Sequence, residues 1–358
     1  MTKLKEHKPS KMEALKAMTP ADRRRAIFDG IMNNAMFIII ALVIIYVAIK
    51  NPRFLSIPSL VNIISLTAAK LPIALGVGGC IILAGTDISA GRQVGLAACI
   101  SAGLQLTTNK LFPGLQVMPI PVVLLCVLVA CALVGFVNGF FMAKFKLHPF
   151  IVTLSTQLIV YGLVLLFMQL GTNGGQTLSG MSEGYRNFII KPLFTLKTSS
   201  GPVTVPRYVL YSTIITAIVW VIWNKTAFGK NMYAVGSNEE AANVSGVNVS
   251  KTIILVFVMA GMLYGITGFM DAARIASVNA TTGLNYEADA IAACVIGGIS
   301  FVGGIGKVSG AIIGVLLLQI IFAGLNFLSV DANYLYIVKG LIILIACSID
   351  MRKYLVRK

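Results

Sequence analysis

Apolar residues along this chain gather into runs separated by short polar or turn-forming stretches. The runs lie near 31–50, 60–84, 90–108, 119–142, 149–170, 207–223, 251–273, 288–302, 308–328 and 333–350. Most approach the ~20 residues a helix needs to cross a ~30 Å hydrocarbon core. The pattern predicts an all-α, polytopic transmembrane bundle of about ten helices. The eighth run is short and glycine-rich, which reads as a broken or re-entrant segment.

Composition removes the soluble alternative. Of 358 residues, 57% are hydrophobic and 12% charged, against ~45–50% apolar and ~25% charged in ordinary soluble domains. The net charge of +16 is no sign of a nucleic-acid binder, because the basic residues lie mainly between apolar runs and form no soluble basic face. Cys80, Cys99, Cys126, Cys131, Cys294 and Cys347 all lie in or against apolar runs, with no C-x-x-C pair or ligand-spaced histidine. They read as small packing residues, and no metal is expected.

Charge sets the orientation. The first 30 residues hold eight Lys or Arg and no apolar core, which is not a cleavable signal peptide. With the N-terminus inside, the cytoplasmic segments collect eighteen basic residues and the outer loops eight, so both termini are expected in the cytoplasm. The chain then divides into a basic tail over 1–30, a transmembrane domain over 31–350 and a basic tail over 351–358. His7 and His148 fall in cytoplasmic segments. Two readings of Lys11–Phe28 stand: an amphipathic stretch on the anionic inner leaflet, or a solvated tail that fixes topology. Two also stand for the outer connection Gly171–Pro206: a docking surface for an extracytoplasmic partner, or an ordinary loop.

The cytoplasmic connection Asn224–Ser250 contains GSNEEAANVSGVN at 236–248. Ser237 followed by Glu240 forms a capping box, Glu239 and Glu240 suit a helix N-terminus, and Gly246 is a C-terminal stop. The result is a helix of about two turns, below the ~12–15 residues that hold alone in water, so it needs a packing partner. The run Glu240, Ala241, Ala242, three residues and Gly246 resembles the EAA loop by which ABC importer permeases dock into their ATPase subunits. LAGTDISAGRQVGLA at 83–97 and EADAIAACVIGGISFVGGIG at 287–306 resemble the ribose, xylose and galactoside branch of those permeases. The first of the two is most similar to the galactose and methyl-galactoside members.

The resemblance runs from the first span to the C-terminus. It implies a permease domain that provides the pathway in a bacterial inner membrane, as a homodimer within membrane lipid. It also implies a separate ATPase that binds ATP and Mg, and an extracytoplasmic sugar-binding protein. ATPase coupling would fall to Ser237, Glu239, Glu240, Ala241, Ala242 and Gly246. The chain itself has no phosphate loop, since Gly303–Val308 lacks the spacing and the hydroxyl after Lys307. With no catalytic constellation either, it is expected to catalyse no reaction and to hold no cofactor.

Polar groups inside apolar runs are the candidate pathway: Asn62, Asp87, Ser89, Thr153 and Gln157, with Lys70 and Thr156 beside them. Asp87 reads both as a cap for the third helix, with Arg92 as its pair, and as part of the sugar route. Gly306, Gly310 and Gly314 form the clearest small-residue packing stripe, alongside Gly91/Gly95, Gly135/Gly139 and Gly261/Gly265. Glycine-rich stretches at 76–85 and 297–306 suggest an internal repeat. The alternatives are a permease for ribose or xylose, or an ion-coupled secondary transporter, for which Asp271, Glu287 and Asp289 lie near span ends.

Overall fold

A computed structural model describes residue 19 and residues 35–108, 110–112, 114–171, 173–198 and 201–355. Outside these lie the 1–30 tail apart from Thr19, with His7 and the Lys11–Phe28 stretch, and also 356–358 of the C-terminal tail. Every apolar run yields a helix: α1 (Ala35–Lys50), α2 (Ile57–Ile82), α3 (Ala90–Gln105), α4 (Ile120–Phe145), α5 (Pro149–Met168), α7 (Arg207–Lys225), α10 (Val249–Ile275), α11 (Tyr286–Ile296), α12 (Val308–Phe327) and α13 (Ala332–Leu355). Short helices α6 (Glu183–Ile190), α8 (Ala227–Ser237) and α9 (Glu239–Val244) lie in the connections. Six helices among the described residues, α2, α4, α5, α7, α10 and α12, are long and apolar enough to cross a membrane. α13 continues to Leu355, into the basic C-terminal segment.

α2 and α10 form the interior, with 67% and 72% of their most apolar windows buried, whereas α4, α5 and α7 bury only 22–28%. Leu125, Leu133, Leu158 and Leu166 point outward from the outer helices, a surface that acyl chains can cover. Small residues let the centre close up. A methyl group on Gly135 or Gly139 of α4 would strike the α10 backbone at Phe257 or Ile254, and one on Gly261 of α10 would strike the Cys131 carbonyl of α4. The two helices therefore interlock through reciprocal glycine pairs.

The connections sort onto two faces. On one, β1 (Leu178–Ser179) pairs with β4 (Ser277–Val278), and β2 (Pro192–Thr198) forms a hairpin with β3 (Gly201–Pro206) in the register Thr195↔Thr204. The Gly171–Pro206 connection is thus largely ordered. The other face carries α8, α9 and the turn after α11, whose Gly304 N–H donates to the Ile82 carbonyl at 2.7 Å.

Two segments stop halfway. After α2 reaches the α8/α9 face, residues 83–89 turn back without helix and α3 starts at Ala90, running to the hairpin face. After α10 reaches the hairpin face, 279–285 return as turns and α11 runs to the α8/α9 face. At ~1.5 Å per residue, the 16 residues of α3 and 11 of α11 span less than the ~30 Å core. The eighth run is indeed broken; the third, expected as a full span, is broken too. The non-helical approach to α3 is buried at Gly85, Asp87 and Ser89, whereas the approach to α11 buries Gly283 and leaves Asn279, Thr281 and Leu284 exposed. Both half-helices carry an Ala-Ala-Cys run, at 97–99 and 292–294, and they run in opposite directions from the centre. The glycine-rich 76–85 and 297–306 meet on one face, where Gly303 packs on Ala84.

Candidate functional site

The α8/α9 face carries the expected coupling segment with a different start. Ser237 ends α8, and the cap of α9 is Asn238, whose Oδ1 accepts from Ala241 N at 2.8 Å. The capping box from Ser237 to Glu240 therefore does not form. The glutamates do fall in the first turn, where the helix dipole favours them. Gly246 is the stop, in the left-handed region at φ +84, with Val247 N donating to the Ala242 carbonyl at 3.0 Å. α9 has only six residues.

One face of α9 is seated and the rest is free. Ala242 is buried beside Val235 and Val249, while Ser237, Glu239, Glu240 and Ala241 are exposed. Val244 is 90% exposed. Glu239 pairs with Lys146, the left-handed residue that ends α4. Beneath it, α8 is pinned by Tyr233, which donates to the Gly306 carbonyl at 3.0 Å. Burial raises the Tyr233 pKa, so the phenol stays a neutral donor. A polar depression of about 1000 Å³ adjoins α9, lined by Lys146, Glu239, Glu240, Asn243 and Asn248 among others. Sequence reasoning missed Val244, an apolar side chain inside a polar string, and also α8.

The 83–89 break holds the second cluster. Asp87, fully buried, accepts from Ser89 N at 2.9 Å and from Ser89 Oγ at 2.5 Å. Ser89 Oγ in turn accepts from Gln93 Nε2 at 3.0 Å and Asn138 Nδ2 at 3.1 Å. Thr153 of α5 donates to the Thr86 carbonyl at 3.3 Å. Asp87 thus fastens the approach to α3, but its expected pair Arg92 turns away, donating to the Ala280 carbonyl at 3.2 Å and lying 4.1 Å from the Tyr161 ring centre. Asp87, Ser89 and Thr153 come together, and Gln157 lies one turn beyond Thr153 on α5. Thr153 also bonds back to its own helix, to the Pro149 carbonyl at 3.0 Å, and the Thr156 hydroxyl donates within α5 to the Val152 carbonyl at 3.2 Å. Asn62 does not join them; it is exposed on α2, close to the hairpin face. Gln93 and Asn138 were missed. Their signals were Gln93 one turn after Ser89, and Asn138 beside the packed Gly135 and Gly139.

Other expectations shift in place. Gly310 and Gly314 pack on the backbone of α11 at Gly297 and Ala293, but Gly306 precedes α12 in a turn against Ile82 and Ile299. The helix stripe is therefore Gly310/Gly314 alone. Lys70 sits 3.8 Å from Asp271, which Arg274 also binds at 2.8 Å, and Lys339 binds Asp289 at 2.9 Å. These pairs offset the cost of burying the charges and tie α2 to α10 and α11 to α13. Cys80, Cys99, Cys131 and Cys294 are buried thiols, whereas Cys126 is exposed and not packed.

The family model described as branched-chain amino acid transport system / permease component matches residues 59–347. The galactose/methyl galactoside import permease protein MglC of Haemophilus influenzae is 41% identical over 334 residues, 92% of this chain and 97% of that protein. Its Escherichia coli K12 namesake is 39% identical over 338 residues, 94% and 98% of the two chains. The ribose import permease protein RbsC of Bacillus subtilis is 34% identical over 339 residues, 93% and 97%. No solved structure matches the chain.

Proposed function

We propose, from the premise that this chain belongs to the branched-chain amino acid transport system / permease component family, that it is the membrane-spanning subunit of an ATP-driven importer of galactose or methyl galactoside. Two copies of the chain enclose the route across a bacterial cytoplasmic membrane, and the α8/α9 face lies inside. A separate ATPase binds ATP and Mg and docks on α9. An extracytoplasmic binding protein delivers sugar to the β2–β3 face. The chain itself makes and breaks no covalent bond.

The observation that carries this reading is the likeness to galactose/methyl galactoside permeases along almost the whole chain, at 39–42% identity, against 32–34% for ribose permeases. α9 supports it mechanically. A six-residue helix cannot persist by propensity alone; this one is held by its cap, Lys146 and Ala242, leaving Glu240, Ala241 and Val244 free to enter a groove. The test is uptake of labelled galactose, with ribose and xylose as controls, in cells lacking their own importers. The chain is expressed with and without its ATPase and binding protein. Galactose uptake only when all three are present supports the proposal. Uptake by this chain alone, or preference for ribose, overturns it.

A further inference from the structure

Three elements meet where the half-helices begin. α5 presents Thr153, Gln157 and Tyr161 at four-residue spacing, which places them on one helix face. α3 contributes Arg92 from its first turn, with the guanidinium on the Tyr161 ring and one N–H on the Ala280 carbonyl. The first turn of α11 contributes Glu287. A methyl group on Gly91 would strike the Glu287 carboxylate and the Gly283 carbonyl, so glycine at 91 makes the room in which that carboxylate sits.

This place lies about midway between the two faces of the protein. Arg92 is near the start of a 16-residue helix, so about 20 Å of α3 separates it from the hairpin face at ~1.5 Å per residue. A charged residue at such depth in a membrane marks a route or a site by default. The four ion pairs among the described residues include neither Arg92 nor Glu287. Both side chains are half-buried, and the Gln157 Oε1 atom has no hydrogen-bond partner. Arg92 and Glu287 together are neutral, one a donor fork and the other an acceptor pair, with an aromatic ring beside them.

Resting on the importer reading, we infer that Arg92, Gln157, Tyr161 and Glu287 form a contact for a neutral pyranose midway along the route. Sugar hydroxyls both donate and accept, which suits Arg92, Gln157 and Glu287, and the apolar C–H face suits the Tyr161 ring. A half-open site of this kind binds without a deep well, as passage requires.

The test uses proteoliposomes holding the full complex with saturating binding protein. Labelled galactose uptake, stimulated ATP hydrolysis and thermal unfolding in detergent are measured for Glu287→Gln, Tyr161→Leu and Tyr161→Phe. The contact predicts that Glu287→Gln and Tyr161→Leu lower uptake about tenfold, on the order of 1.4 kcal/mol. Hydrolysis and melting stay near wild type, and Tyr161→Phe, which keeps the ring, loses less uptake than Tyr161→Leu. Wild-type uptake in every variant, uptake and hydrolysis falling in proportion, or loss of folded protein would overturn it. Absence of galactose uptake by the unaltered complex is a separate result that fells the importer reading and this contact with it.

Discussion

α9 and the 83–89 break are built from the same local device in opposite surroundings. Each places an acceptor side chain, Asn238 or Asp87, on a free backbone N–H. In α9 most neighbouring groups face water, and only Ala242 is buried. At the break Asp87, Ser89, Gln93 and Asn138 are all fully buried; Asp87 Oδ1, Ser89 Oγ, Gln93 Nε2 and Asn138 Nδ2 bond within the set, while Asp87 Oδ2, Gln93 Oε1 and Asn138 Oδ1 have no hydrogen-bond partner among the described residues. An exposed cap can be altered at modest cost in fold, whereas a buried one leaves desolvated groups without partners. The first region is free to serve a second protein; the second is committed to shaping its own.

The sharpest way to break this contrast is Glu240→Arg. It is expected to abolish ATP-dependent uptake while leaving expression and detergent melting unchanged, because Glu240 is exposed on α9. Normal uptake would remove α9 as the coupling element. Asp87→Ala should do the reverse damage. Stranding the Ser89 N–H and hydroxyl costs ~1–3 kcal/mol, read as a lowered melting temperature, and Asp87→Asn should recover much of it by keeping an acceptor. An unchanged melting temperature for Asp87→Ala would mean that the network does not hold the break.

Gly246→Ala forces a residue with a Cβ into the left-handed region, at ~1 kcal/mol or more. Frayed α9 should then lose uptake severalfold with no global loss of stability. Smallest is Lys146→Ala, which removes an exposed pair with Glu239, 67% and 47% exposed, worth ~0.2–1 kcal/mol. Uptake within twofold of wild type is expected; a total loss would show that Lys146 itself meets the ATPase.

How much of this was legible in the sequence follows from the range of the interactions. Gly246 and the acidic first turn of α9 are local signals and read correctly. Ser237 misled because α8 was invisible: Gly229 and Gly236 look like loop residues, yet they are glycine because methyl groups there would strike the Trp223 and Ile82 carbonyls. Every apolar run became a helix, since burial of long apolar stretches sets them. The halting of α3 at mid-depth was not legible. Its run carries Gly91, Arg92, Gln93, Gly95, Gly103 and Gln105, a polarity that run length alone does not register, and its start is seated by tertiary contact, with Gly91 and Gly95 receiving the backbone at Thr282 and Gly283. Arg92 was likewise assigned to Asp87 by nearness in sequence, while its partners are 69 and 188 positions away, at Tyr161 and Ala280.

The central claim is that the free side of α9 is where the ATPase sits. Its most direct test is a site-specific cross-link from Val244→Cys, in a background with Cys126 and Cys347 replaced, to the ATPase subunit in membranes. Ser155→Cys on the exposed face of α5 serves as the control. The account predicts a cross-link from position 244 that changes in yield when ATP is added, and none from position 155. No cross-link from 244 in a complex that still transports galactose would contradict it.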